Sequence, residues 1–479
     1  MPLILGANSV SGYNVANSLR FNSGSSDSLT RTPATTGTSR RIMTFSFWTK
    51  RSGFETTSAY RLFSTFYGGG ASQFWIRFAD SGEGINRISI VSYDSAFSIN
   101  LITTQVFTDP SAWYHFVIAF DTTQGTSSNR VKVYVNGSQI TSFATSTYPS
   151  QNYDIQWNVT EPNQIGANAV SANEFYNGYM AEINFIDGQQ LTPSSFGETD
   201  TATGIWKPKA YTGSYGTNGF YLKFANSAAL GTDSSGNGNT FTVNNLTSVD
   251  QSTDTPTNNF CTMNPLNSTN SCLLTEGNLK QAQSSNDQVS NGTIGFNKGK
   301  WYWEFKMVSG LGEGGIVLNT NKTYYSSRAT ADLTTNDTCI GRIFNVTGST
   351  NNMRIMGSLG SSTVGASVTY SAGDIVSVAV DADAGKIWFA KNGTYEGSGN
   401  PATGSDPTYN WSSNLGSVDF ITAIYGIFSG ASPSAEWNFG SPPFTISSGN
   451  ADGAGFGNFE YAVPSGYFAL CTKNLAEYA

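Results

Sequence analysis

The chain has 479 residues, of which 38% are hydrophobic, 13% aromatic and only 12% charged, with a formal net charge of −8 at pH 7 and a pI of about 4.8. This length suits two to four domains, and the lack of any Lys/Arg cluster longer than Arg40-Arg41 excludes the basic field that nucleic acid requires. No apolar run approaches the ~18 residues of a membrane span, and Gly, Ser, Thr and Asn replace the usual helix formers, which predicts an all-β protein.

In chain order, Met1–Val15 reads as an arm. It has neither the basic start nor the apolar run of an export signal, so no export address is expected. From residue 16, short strand patterns follow one another: SLRF, TFSFWTK, RLFST, FWIRF and ISIVSY. WYHFVIAFD puts Tyr114, Phe116, Ile118 and Phe120 on one face. NRVKVYVNGSQI does the same with Val131, Val133 and Val135, then turns at Asn136-Gly137. GYMAEINFID, GFYLKFA and NTFTVNNL complete a first unit, 16–246, whose turn spacing suits two stacked antiparallel sheets. Thr247–Asn259 is polar, bears a proline and lacks apolar period, so a linker or surface strap is expected. A second β-sandwich, 260–479, follows. Its strongest strand places Trp301, Trp303, Phe305 and Met307 on one face, and GDIVSVAVDADAGKIWFAKNG forms a hairpin whose Asp381 and Asp383 make the turn. The tail Leu470–Ala479, like the arm, has no evident place in a sandwich core. The halves do not repeat one another, and no heptad or fibrous repeat occurs, so two different globular modules in tandem are expected.

Residues that could carry chemistry are sparse. Cys261, Cys272, Cys339 and Cys471 form no CxxC, and the single histidine, His115, lies far from them in sequence. Buried thiols are expected, with a local Cys261–Cys272 disulfide or half a zinc site as alternatives. His115 alternates with Phe116 and is expected on the opposite face of its strand; without a nucleophile elbow it makes no triad. Glu182-Ile-Asn184-Phe-Ile-Asp187 has a spacing reminiscent of paired glycosidase carboxylates, which sit ~5–5.5 Å apart in retaining enzymes. Its central acid is an amide, however, and Asp187 enters a turn with Gly188. A structural strand and no enzyme are expected. Asp233, Ser235, Asn237 and Asn239 offer oxygen ligands, Asp233 and Asn237 being the calcium candidates, but the further acids of an EF-hand loop are missing. A metal-free Asx-turn and no cofactor are expected.

MTFSFWTKRS, WYHFVIAFD, VKVYVNGSQI and YNGYMAEINFIDGQQLTPSSF stand in the order of four strands of the laminin-G-like, concanavalin A-like jelly rolls, and the first half resembles that family. GKWYWEFKM, the 373–393 hairpin and EWNFGSPPF resemble the SPRY domain. Jelly roll, DTPTNNFCTMNPL bridge and SPRY-like module ending YAVPSGYFALCTKNLAEYA together resemble virion proteins of tailed bacterial viruses, particularly marine and cyanobacterial phages. That resemblance implies a non-enzymatic fibre or surface-decoration protein located at the virion surface. Its implied partners are other virion proteins and a host-surface glycan or protein, and its implied assembly is a homo-oligomer, with a trimer favoured. A glycan depolymerase and a secreted bacterial lectin or adhesin are the alternatives. Loops at one end of SPRY sandwiches recognise ligands; here the aromatic-bearing loops hold Tyr324, Tyr325, Tyr395, Tyr409 and Trp411. Such rings stack on sugar faces, or else pack between modules or subunits. Trp157 and Tyr176 are lesser candidates in the first unit.

Overall fold

The computed structural model describes residues 12–54, 59–67, 72–171, 173–268, 272–282, 288–319, 338–345, 353–355, 359, 362–364, 368–413, 415, 418–427 and 433–479. The chain divides into two compact units, whose described parts run 12–257 and 258–479. Each is a β-sandwich, and among the described residues the only α-helix is Thr472–Tyr478.

In the first unit one sheet is centred on the antiparallel pair Ile42–Arg51 and Gly178–Asp187. Trp113–Asp121, Val131–Val135 and Ser138–Ile140 extend it on one side, and Ser18–Phe21 and Gln251–Ser252 on the other. The opposing sheet runs from Phe143–Thr147 through Ser72–Phe78 and Tyr60–Tyr67 to Thr242–Asn244. Period-2 alternation sends Phe45, Phe47, Phe116, Ile118, Phe120, Val131 and Val133 inward, each 0–2% exposed. Phe45 sits at the centre of this core, with the rings of Phe63, Phe74, Phe120, Trp157 and Phe185 at centroid distances of 4.9–6.2 Å. Burying each such side chain stabilises by about 1.5–3 kcal/mol, which is what holds the sheets face to face. Trp157 and Tyr176 belong to this core at 0% exposure, so neither is a ligand platform. The Asn136-Gly137 turn forms as predicted, both residues at positive φ (47° and 82°), matching the strand twist as a two-residue hairpin requires.

The segment 247–257 is not a free linker. Thr247 and Asp250 close a capping box, Gln251–Ser252 pairs with Ser18–Leu19, and Asp254, 1% exposed, reaches Lys50 Nζ at 2.8 Å. Its polarity was legible but its destination was not, because buried donors on the sheet satisfy those polar groups. The arm is similar in its described part: Val15 is 3% exposed and packs with Trp48 and Ala181.

The second unit pairs Lys300–Ser309 with Ile375–Asp381, which pairs in turn with Lys386–Lys391. Trp301, Trp303, Phe305, Met307, Val376, Val378 and Val380 are all 0% exposed in one core. Asp381 accepts from Ala384 N–H within the hairpin turn, whereas Asp383 accepts from Gly299 N–H and ties that turn to the start of the neighbouring 300–309 strand. The C-terminal tail does have a place in the sandwich. Phe468–Ala469 pairs in parallel with Trp301–Tyr302, Leu470 and Cys471 are 0% exposed, and the 472–478 helix buries Asn474 and Leu475. Its apolar residues are too few for a periodic signal, yet Leu470 and Leu475 join the core of Trp301 and Trp303, and Ala469 and Cys471 the cluster of Tyr302.

Candidate functional site on the outer face of the first sandwich

The outward-facing residues of the 42–51 sheet are not the polar set that a solvated face would carry. The register sets Trp48 beside His115, Lys50 beside Trp113, and Ala181 beside Trp48. Over them lies a second layer drawn from residues 12–17, 190–221 and 247–257. Tyr13, Trp206, Tyr211, Tyr215 and Tyr221 in this layer, and Trp113 on the sheet itself, are half-buried, each keeping part of its surface in solvent.

At the middle of the face Trp48, His115 and Trp206 form a column. Their ring centroids are 4.8 and 6.0 Å apart and nearly parallel, at 17° and 19°. Trp206 can lie this close because Gly197 and Gly137 have no side chain; a Cβ there would stand 2.4 and 2.6 Å from the indole. The indole Nε1 donates to His115 Nδ1 at 2.9 Å. An indole N–H only donates, so His115 carries its proton on Nε2, 2.9 Å from Ser46 Oγ. Burial with no charged neighbour holds the imidazole down to about 3. His115 thus faces opposite Phe116, as expected, and is a neutral, fully engaged structural group.

Beside this column the 178–187 strand bulges. Between Ala181 and Asn184 it carries one residue more than its partner, and Glu182 adopts φ 49°, a conformation costing a non-glycine residue about 1–3 kcal/mol. The bulge presents the Glu182 carboxyl to two phenols. Tyr13 Oη lies 2.8 Å from Oε2, Tyr221 Oη 2.7 Å from Oε1, and the two hydroxyls 2.7 Å from each other. Tyr215 donates to Asn184 Oδ1 at 2.9 Å, and its ring stacks on Tyr221. Burial pushes the Glu182 carboxyl above the usual carboxylate range, despite the phenol donors and nearby Lys223. Burial and Glu182 together push the Tyr13 phenol up to about 12.

Asp187, the other acid of the stretch, is committed elsewhere. It accepts from the backbone N–H groups of Thr38, Ser39 and Asn218 and from Asn158 Nδ2, at 2.6–3.0 Å. At the opposite end of the 42–51 and 178–187 strand pair, where Lys50 sits beside Tyr179, Lys50 and Trp113 Nε1 both reach Asp254, at 2.8 and 3.1 Å.

The other expected site residues scatter. Tyr324 and Tyr325 lie outside the described residues. Trp411 is 3% exposed and packs in the second core, so it offers no stacking surface. Tyr409 is half-buried against that core through its short pairing with Ile387, and Tyr395 packs beside the Trp388 and Tyr467 cluster. The calcium candidates form a hydrogen-bonded turn: Asp233 accepts from the N–H groups of Tyr221, Ser235 and Asn239, and Asn237 Nδ2 donates to Gly216 and Gly219 carbonyls. The four thiols are free, Cys272 being less buried than the others. Burial pushes both Cys272 and Cys471 up to about 12. Among the described residues no three His, Cys, Asp or Glu side chains gather as a metal site. Tyr13 and Trp206 come from segments without strand period, and Tyr221 from GFYLKFA, whose strand pattern does not show what its outer face meets.

Residues 23–195 match a laminin-G family model described as the concanavalin A-like lectin/glucanases superfamily. No curated protein is similar enough to count as a relative. Solved structures with likeness to the chain include the SPRY domain of human HERC1, at 16% identity over 36% of this chain and 96% of that one, TM-score 0.25. Another is domain 4 of AbnA, a GH43 extracellular arabinanase from Geobacillus stearothermophilus, in complex with arabinotriose, at 18% identity over 32% and 64%, TM-score 0.23. A third is a Bacteroides ovatus protein described as carbohydrate binding, at 15% identity over 48% and 59%, TM-score 0.31. The chain spans less than two thirds of the length of the last two.

Proposed function

We propose that this chain is a non-catalytic carbohydrate-binding protein whose site is the aromatic layer around Glu182. The observation that carries the reading is that tier of half-buried rings on a jelly-roll face, two of whose phenols hold the buried Glu182 carboxyl beneath them. Rings cover the apolar faces of sugars, and a carboxylate accepts from hydroxyls. The lectin/glucanase family match over residues 23–195 supports it. The absence of catalysis is part of the proposal: a retaining hydrolase needs two acids across the bond, and Asp187 is saturated by four donors. The reading needs no metal. On the order of its sequence motifs, we extend it to a virion-surface protein of a tailed bacterial virus, homo-oligomeric and touching host-surface glycan. Binding to a glycan array, with Trp206→Ala and Trp113→Ala each weakening it, tests the proposal; a folded protein that retains no glycan at all, or turns one over, refutes it. Electron microscopy with antibody to this chain tests the virion role, and particles left unlabelled refute that part alone.

A further inference from the structure

Tyr13 differs from every other member of the Glu182 cluster in how it is held. Tyr215, Tyr221 and Trp206 come from segments tied to the sandwich by strands or many backbone bonds. Residues 12–17 contain no strand. Beyond the phenol, this segment is held at Val15, whose N–H and C=O each lie 3.1 Å from Thr257 Oγ1 and whose side chain packs with Trp48 and Ala181, and at Asn14, whose Oδ1 lies 3.4 Å from the same hydroxyl.

The hydrogen-bond count at the cluster is informative. Tyr13, Tyr221 and Glu182 make three oxygen–oxygen contacts of 2.7–2.8 Å. Two phenols supply two protons, so an ionised Glu182 leaves one contact without a proton. A protonated Glu182 completes a closed ring of three bonds with three protons. The upward shift of the Glu182 carboxyl agrees with that ring. A vicinal diol in place of Tyr13 would bring two hydroxyl protons rather than one, enough to satisfy an ionised Glu182 together with Tyr221. An anionic sugar would instead set its charge against Glu182.

We propose that Tyr13 is an internal occupant of a hydroxyl-binding subsite formed by Glu182 and Tyr221, and that a neutral, diol-bearing sugar unit binds there by displacing residues 12–17. The subsite rests on the carbohydrate reading above and adds to it the ligand class and the competitor. An occupant that leaves the site open about one-tenth of the time weakens apparent affinity about tenfold.

The test is calorimetric titration of the full chain with laminarihexaose, cellohexaose, maltohexaose and mannohexaose, with oligogalacturonate as the anionic probe. At least one neutral probe is expected to bind the wild type, and Tyr13→Ala is expected to tighten it by about tenfold. Glu182→Gln in the Tyr13→Ala background should abolish the gain, and oligogalacturonate should bind neither form. Tyr13→Phe, which keeps the ring and loses only the hydroxyl, gives a smaller gain in the same direction and serves if Tyr13→Ala unfolds. Wild-type binding that Tyr13→Ala and Tyr13→Phe leave unchanged overturns the displacement while the carbohydrate reading stands. Folded wild type and variants that bind no probe, with no glycan retained on the array, overturn both.

Discussion

The neutral state of His115 makes a quantitative test of the outer-face layer. Its folded pKa is held to about 3 by burial alone, whereas an unfolded histidine titrates near 6.5. The folded value is the lower one, so the unfolded chain binds the extra proton. The stability that this group contributes is therefore fully present above about pH 6.5 and is lost as pH falls from there toward 3. Between pH 7.5 and pH 5 the loss is about 2 kcal/mol, from 1.36 kcal/mol for each of roughly 1.5 pH units. Protonation at Nδ1 would also break the Trp206 bond, since both groups would then be donors. The chain has one histidine, so selective 15N labelling gives one imidazole to follow. Its native signals are expected to show the Nε2–H tautomer and no titration from pH 7.5 to 4, while the urea-unfolded signals titrate near 6.5. His115→Asn keeps an acceptor near Nδ1 but cannot titrate. The stability difference between wild type and this variant should shrink by about 2 kcal/mol between pH 7.5 and 5 in urea melts. A native imidazole that titrates near 6.5, or parallel pH profiles for the two proteins, would refute the buried column.

Three further outcomes follow from individual contacts. Asp254→Ala removes the carboxylate from Lys50 at a site where both side chains are 1% exposed, and should destabilise the first unit by about 3–5 kcal/mol in denaturant melts; a neutral result would return 247–257 to linker status. Glu182 has a raised folded pKa, so its contribution is complete below the unfolded value and is lost as pH rises through the folded one. Glu182→Gln should therefore gain stability relative to wild type from pH 4 to pH 8, and a variant that loses ground instead contradicts the protonated ring. Trp411→Ala should cost about 3–5 kcal/mol through its cavity in the second core, with glycan retention unaltered once the protein is folded.

The fold was readable where one physical rule acts alone. Strands with strict alternation, such as 113–121 and 300–309, declared both their structure and their buried face, because a period of two leaves no other assignment. Asn136-Gly137 declared its turn for an equally local reason. The site was not readable, because the outer faces of legible strands are covered by segments such as 12–17 and 203–215 that obey no period and whose burial depends on what they meet. Trp206 reads as a loop aromatic until Gly137 and Gly197, separated from each other by 60 positions, let it lie on His115. Asp254 reads as solvated until Lys50 and Trp113 claim it. Glu182 reads as a structural position because the centre of its stretch is an amide, Asn184, and Asp187 enters a turn with Gly188. What that reasoning could not reach was the other use of a lone carboxyl. The bulge at Glu182 breaks the alternation that made the strand legible, and the same break turns the side chain from the ladder toward two phenols. The feature that hides this position from a pattern reading is therefore the one that gives it chemistry to offer.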